Sequence, residues 1–387
     1  MIDLQLDFLD SLAQYFKSCF DHNIKVFKIN KLKKEGDFTA FLSNTDKERI
    51  HRFELPVTKD LPEKSQSWKV PIGCVDVKVD NILISLDRPV LFRNCIYLIG
   101  EQNEFYGLSP IFSTKTFKIT TDVAGEPRNP TELRTSLSAG IVRRLLLAVG
   151  ASLSQGHECT RLHLALKPPP PSEQCSYLLV SKVLNSDNMT PDDYFLRTER
   201  MMRLKDDMNF SLGKEDDRKI VNAILRFELL MTKLSQPVKL STQTDRIKGA
   251  VYIMYNFVRL KAILNQFESN VASGIYPPVP PFHEIDFQQL ACEEEWHIMF
   301  CYLFDWPQVV RAACESLSSK CNIHTIFMFL AKLSTNFSSY YAKERILTEN
   351  RKQLLPVMFA RICLMKAIVR VMENAFTIVG ISPLSRM

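Results

Sequence analysis

The stretch Pro356-Val357-Met358-Phe359-Ala360-Arg361-Ile362-Cys363-Leu364-Met365-Lys366-Ala367-Ile368-Val369-Arg370-Val371-Met372, running on to Ile378-Val379-Gly380-Ile381-Ser382-Pro383 and Arg386-Met387, decides how the chain is read. Leu364, Met365, Ile368, Val369, Val371, Met372 and Phe376 place apolar side chains around most of a helix. Such a helix belongs in the centre of a bundle rather than on its surface. Gly380 suits the left-handed residue after the last turn, and Pro383 blocks continuation. At 1.5 Å per residue a helix over 357–379 spans roughly 34 Å, long enough to anchor other helices.

Upstream, the periodicity stays helical from about Asp216, and predicts helices at Arg218–Leu234, Asp245–Phe267, Phe287–Phe304, Gln308–Leu317 and Ile323–Tyr341. The run Gly274-Ile275-Tyr276-Pro277-Pro278-Val279-Pro280-Pro281 reads as an extended connection. In the second of these helices Lys248, Tyr252, Tyr255, Asn256, Arg259 and Gln266 share a stripe opposite Ile247, Ala250, Met254, Val258 and Leu264. Tyrosines beside cations can stack unpaired bases and neutralise phosphates. A polar face with half-buried tyrosines explains the same pattern. In the fifth helix Phe337 continues the core stripe of Ile323, Ile326, Leu330 and Leu333, while Tyr340 and Tyr341 fall at the helix end beside Lys343 and Arg345. Arg361, Lys366 and Arg370 add basic groups to the last helix.

The C-terminal part resembles the DALR anticodon-binding domain of arginyl-tRNA synthetases, where a long apolar helix runs into a Gly-Ile/Val-x-x-Pro-x-x-Met tail. Gly380, Ile381 and Met387 match that tail, with Pro383 shifted by one. The run Tyr252-Ile253-Met254-Tyr255-Asn256-Phe257-Val258-Arg259 is similar to the family's Tyr-x-x-Tyr-Ala-His-Ala-Arg, with Phe257 in place of the histidine. Asn129-Pro130-Thr131-Glu132-Leu133-Arg134 is similar to the stretch that opens the synthetases' class I nucleotide-binding fold. There Asn129, Thr131 and Glu132 occupy the positions of the His-x-Gly-His signature. A carboxylate at Glu132 would repel the charge developing on ATP phosphates, so adenylation chemistry is expected to be absent. Only about 60 residues stand where the family carries a few hundred, and no Lys-Met-Ser-Lys-Ser-like loop is present.

The expected fold is mainly α: a DALR-type anticodon-binding helical bundle at 211–387, an N-terminal α+β domain at 1–115, and a degenerate, truncated remnant of a class I synthetase nucleotide-binding fold at 116–210. In the first segment Leu6, Phe8, Leu9, Leu12, Tyr15 and Phe16 predict a helix, while Ile82–Leu86 and Val90-Leu91-Phe92 read as strands. This organisation looks like the eukaryotic DALR anticodon-binding domain-containing protein 3 family. That resemblance implies a non-catalytic adaptor that recognises arginine tRNA and presents it to a methyltransferase-like protein 2 enzyme for 3-methylcytidine formation. The sequence itself argues only for binding. A protein-only scaffold without RNA contact, and a residual arginine-tRNA ligase, stay open.

Composition sets the outer limits. A chain of 387 residues with 46% hydrophobic content builds a sizeable core in two or three domains. Of the net charge of +6, residues 211–387 supply 21 minus 16, or +5, which fits a polyanionic partner. The ten cysteines include no Cys-x-x-Cys pair and read as reduced thiols of a cytosolic or nuclear protein; no apolar run reaches the roughly 18 residues of a membrane span and the start Met1-Ile2-Asp3-Leu4 lacks a signal peptide's basic residues, so no membrane partner and a cytoplasmic setting are expected. The seven histidines show no metal-ligand spacing, His157 and His163 near Cys159 included, and no phosphate-cradling or nucleophile-elbow motif occurs, so neither cofactor nor small-molecule substrate is expected. Lys167-Pro168-Pro169-Pro170-Pro171 reads as a stiff surface loop, and Glu293-Glu294-Glu295 as a solvated acidic helix start.

Overall fold

The computed structural model describes residues 2–29, 36–52, 57–154, 156, 159–168, 176–186, 188–203, 214–240, 245–314 and 321–384. Pro169–Pro171, His157, Arg386 and Met387 lie outside them. The chain opens with α1 (Leu4–Phe20), whose amides at Gln5 and Leu6 donate to the Asp3 carboxylate and whose Phe8, Leu12, Phe16 and Phe20 are buried. There follow β1 (Val26–Lys28), β2 (Phe38–Phe41), α2 (Asn44–Arg52), α3 (Val57–Ser65), β3 (Ile72–Val77), β4 (Asn81–Leu86) and α4 (Arg88–Gln102). The strands pair antiparallel in the order β1-β2-β4-β3, with Ile82, Ile84 and Leu86 of β4 turned to the core.

The strand expected at Val90-Leu91-Phe92 is a correction: these residues lie in α4. The Asp87 carboxylate accepts from the Val90 amide, Pro89 takes the first turn, and Leu91, Phe92, Cys95, Ile96 and Ile99 then repeat at helical spacing. Local β-propensity loses to a start signal followed by a helical core stripe.

The middle segment forms β5 (Thr116–Thr121), α5 (Pro130–Ala148), β6 (Ser152–Leu153), β7 (Thr160–Ala165) and β8 (Ser176–Leu179). These strands make a parallel sheet in the order β6-β5-β7-β8, and α5 packs across it. β9 (Val183–Leu184), α6 (Pro191–Arg203), α7 (Lys214–Leu230) and β10 (Val238–Lys239) lead on, β10 pairing parallel with β9.

The helical part comprises α8 (Asp245–Ala272), α9 (Glu293–Ile298), α10 (Trp306–Cys314), α11 (His324–Lys343) and α12 (Leu355–Val379). The single helix expected at Phe287–Phe304 is instead broken. A 3-10 turn at Phe287–Gln289 precedes α9, which continues as a wide π turn over Met299–Leu303. The break follows from a fresh cap at Cys292, whose amide donates to the Glu295 carboxylate.

As its all-round apolar sequence requires, α12 is the central helix, packed by α4, α5, α8 and α11. Phe257, where the synthetases carry histidine, packs edge-on against Phe376 at 5.3 Å and is buried. Gly380 closes α12 in the left-handed region, φ 69°. Two arginines finish the cap: Arg144 Nε of α5 donates to the Ile378 carbonyl at 2.7 Å, and Arg226 Nη1 of α7 to the Val379 carbonyl at 3.3 Å. Cations here answer the negative end of the helix dipole. Burial, with Arg144 alongside, lowers Arg226 to about 10. A Cβ on Gly380 would stand 2.5 Å from Arg144 Nη2. Gly380→Ala is therefore expected to combine left-handed strain with loss of this cap and to lower stability by about 1–2 kcal/mol. Urea denaturation, with the exposed Ser382→Ala as control, measures it.

Candidate nucleic-acid interface

Two surface features that the sequence placed on separate helices meet in the structure. Tyr252, Tyr255 and Arg259 stand on successive turns of α8, and the end of α11 brings Tyr341 alongside. The Arg259 guanidinium lies 4.4 Å from the Tyr255 ring centroid and 5.1 Å from that of Tyr341. Its Nη2 also donates to the Tyr255 hydroxyl at 2.5 Å. The cation is thus held between two rings, in the geometry where quadrupole attraction works. Tyr252 and Tyr341 keep 37% and 38% of their surface open, enough for a planar ligand to stack. Lys343, at the end of α11, pairs with Glu294, and Arg345 is exposed, its Nε donating to the Leu347 carbonyl at 3.0 Å. A solvated pair of this kind is weak.

Three positions expected on this surface are corrected to the interior. Asn256 is buried, and its amide donates back to the Tyr252 carbonyl at 2.9 Å. Tyr340 and Arg361 are buried around the Glu295 carboxylate, which accepts from the Tyr340 hydroxyl at 2.9 Å and from Arg361 Nε at 2.8 Å. Arg361 also donates to Glu344 Oε2 at 2.6 Å and to the Arg345 carbonyl at 3.0 Å. Burial lifts the Tyr340 hydroxyl far above the ordinary tyrosine range, with the Glu295 charge adding to the effect. Helical spacing could not tell Tyr340 from Tyr341. One residue of rotation, about 100°, separates core from solvent.

The acidic run at the start of α9 is likewise only partly solvated. Glu293 pairs with Arg88 at 2.7 Å and Glu294 with Lys343, whereas Glu295 has no exposed surface. The signal available was the Cys292-x-x-Glu295 capping spacing just before Trp296.

Lys366 and Arg370 stand away from the tyrosines. They line a cleft of about 570 Å³ between α4, α8 and α12, with Lys261, Glu373, Tyr97 and Phe282. Glu373 pairs there with Lys261 at 3.2 Å and with Arg370 at 3.0 Å. Lys248 lies in α8, but its side chain, like that of Ile247, is outside the described residues.

The positions aligned with the nucleotide-binding signature have structural roles. Asn129 caps α5, its Oδ1 accepting from the Glu132 amide at 3.0 Å, and Glu132 Oε2 accepts from the Arg128 amide at 2.8 Å. Thr131 Oγ1 accepts from the Val183 amide at 3.0 Å. Sequence reading missed Arg134. It is fully buried and donates to the carbonyls of Leu229, Ser181, Gln236, Thr232 and Lys233, joining α5 to the end of α7. Among the described residues no group of three or more His, Cys, Asp or Glu is placed to hold a metal ion, and no helix is long and apolar enough to cross a membrane.

Fold and surface together define a class: a synthetase-type helical bundle joined to a reduced parallel sheet and an N-terminal α+β unit. Residues 253–387 match the DALR anticodon binding domain family. The chain is 30% identical over 218 residues to DALR anticodon-binding domain-containing protein 3 of Danio rerio, a match covering 51% of this chain and 39% of that protein. It is 27% identical over 207 residues to arginine–tRNA ligase of Saccharolobus solfataricus, covering 51% of this chain and 29% of the ligase. The matches span roughly a third to two fifths of the DALR anticodon-binding domain-containing protein 3 relatives. Among solved structures, Thermus thermophilus arginyl-tRNA synthetase superposes with TM-score 0.69 at 11% identity, covering all of both chains. The Plasmodium falciparum enzyme follows at 0.66 and 8% identity, covering 98% of this chain and 99% of that one. The expected resemblance and fold class are both borne out.

Glu295→Ala should leave the buried Arg361 guanidinium with Glu344 as its remaining carboxylate partner and the Tyr340 hydroxyl without its acceptor, and cost about 3 kcal/mol of stability. Thermal and urea unfolding test this, with the surface variant Glu294→Gln expected to leave the midpoint unchanged.

Proposed function

We propose that this chain is a non-catalytic tRNA-binding adaptor whose α8–α11 surface grips the anticodon loop of arginine tRNA. The observation that carries the reading is the Arg259 guanidinium held between Tyr255 and Tyr341, with Tyr252 open one turn away. Unpaired loop bases stack on such rings, and the flanking cations take the phosphates. Lys343 and Arg345 supply charge at the end of α11, and Lys366 and Arg370 from the cleft behind; Lys248 joins this set from its sequence position in α8. The excess of +5 in residues 211–387 favours approach of a polyanion. The bundle at 211–387 is the binding domain in this reading, 1–115 an accessory domain and 116–210 a joint between them. Support comes from the DALR anticodon binding domain match and from relatives whose names carry that domain or the arginine–tRNA ligase activity.

The adaptor's catalytic partner is a methyltransferase-like protein 2 type enzyme, to which the bound tRNA is presented for 3-methylcytidine formation in a cytoplasmic setting. The non-catalytic reading is supported by Asn129, Thr131 and Glu132, which stand at the positions aligned with the adenylation signature and serve as caps and strand ties.

Tyr341→Ala is expected to weaken binding of arginine tRNA about tenfold, as loss of one stacked base does. Arg259→Glu should weaken it further and reduce the slope of log affinity against log salt by about 1 or more. Filter binding across a salt series reads both, and circular dichroism confirms that the bundle stays folded. Incubation with arginine, ATP and tRNA should yield no arginyl-tRNA, while adding the methyltransferase should yield 3-methylcytidine by mass spectrometry of digested RNA. Equal binding by wild type and both variants would remove the surface from consideration.

A further inference from the structure

α10 and α11 pack on each other, and a groove of about 700 Å³ lies between them and the π turn that precedes α10. Thr325, Met328, Phe329 and Lys332 line its α11 side, at the i, i+3, i+4, i+7 spacing against which a third helix packs. Val309 and Ala312 line its α10 side. Met328 keeps 38% of its surface open, and a flexible thioether suits a wall that must fit another chain. The rings of the groove are turned inward: Phe329 and Tyr302 are buried, and His297 stands edge-on to Tyr302 at 5.6 Å. Its other charges are engaged or absent. Asp305 Oδ1 holds Lys28 Nζ at 2.7 Å, while burial, with the Lys28 charge nearby, lowers His297 and keeps it neutral at pH 7. Lys332 is exposed, and among the described residues no carboxylate pairs with its ammonium. Lys332 and Tyr341 stand about two and a half turns apart on α11, so the groove and the α8–α11 surface look to opposite sides of that helix.

We propose that this groove docks an amphipathic helix of the methyltransferase partner, with apolar side chains over Met328 and Val309 and a carboxylate on Lys332. A helix lays its ridge into the furrow between two others, and its apolar face fills the anchor positions. One unengaged cation in an otherwise neutral groove favours an acidic segment over a basic one. RNA fits it poorly, because a single ammonium meets one phosphate and the buried rings offer a base nothing to stack on. Placement on opposite sides of α11 lets tRNA and partner be held at the same time, as presentation of one to the other requires. The inference rests on the adaptor reading only for the identity of the partner, and its test separates the two.

Biolayer interferometry of the immobilised full chain against the purified methyltransferase-like protein 2 type enzyme, without tRNA, makes the test. The combined variant Met328→Asp with Lys332→Glu is expected to raise Kd at least about tenfold. The control Lys59→Glu, an exposed change on α3 outside both surfaces, should keep the wild-type value. Both groove positions are exposed, so the thermal unfolding midpoint of the combined variant should match the wild type. Carbodiimide coupling of the wild-type complex, which needs no variant, should join Lys332 to a carboxylate of the enzyme, read by peptide mass spectrometry. Saturating arginine tRNA should leave the enzyme bound. Equal binding by the combined variant, coupling confined to lysines outside the groove, or displacement of the enzyme by tRNA would each overturn the proposal. Absence of any complex with the unmodified chain would overturn it together with the partner named in the adaptor reading. A groove-dependent complex in a chain that fails to bind arginine tRNA would uphold the groove and sink only the RNA reading.

Discussion

The buried Glu295 carboxylate is the constraint on which the bundle depends. It accepts from Arg361 on α12, from Tyr340 on α11 and from the Cys292 amide at the start of its own helix. A charge without water demands such partners, because desolvation of an ion costs several kcal/mol when it is not compensated. Only one relative rotation and height of α9, α11 and α12 satisfies all of these bonds. Hydrophobic packing alone tolerates slippage by a turn, since one apolar stripe resembles the next. This network therefore fixes register, and through it the direction in which the next residue, Tyr341, points toward Arg259.

The same device recurs where the middle segment meets the bundle. Arg134 collects carbonyls at the end of α7, while Arg144 and Arg226 collect those at the end of α12. Arginine suits these places because its planar fork reaches several acceptors and keeps its charge when partly dehydrated. A helix C-terminus also presents unpaired carbonyls and partial negative charge together. The reduced parallel sheet is thereby tied to the helices as a joint. Asn129, Thr131 and Glu132 serve that joint by capping α5 and holding Val183.

Much of the helical part was legible because long periodic segments carry their own evidence. The bounds expected for α12 and α11 fall within about two residues of those found, since apolar spacing and the Gly380 stop act locally. The break before α9 and the helical state of Val90-Leu91-Phe92 were not legible. Both turn on a cap, at Cys292 and Asp87, that outweighs the propensity of the residues around it. Of the candidate surface, Tyr252, Tyr255, Arg259 and Tyr341 were named from spacing and have open or half-open positions, but Tyr340, Arg361 and Asn256 proved internal. Residue type marks a tyrosine or arginine as able to bind. Its partner in three dimensions decides whether it is available.

By itself, the sequence determined most helices of the bundle and the central place of α12. Those follow from periodicity, composition and residue chemistry, which are local. Tertiary structure alone decided that α8 and α11 place Arg259 between two tyrosines and that Glu295 is a buried anchor rather than a solvated acid. Each of these depends on which distant segments share a boundary. The free energy of burying a charge is set by that boundary, and no window of neighbouring residues contains it.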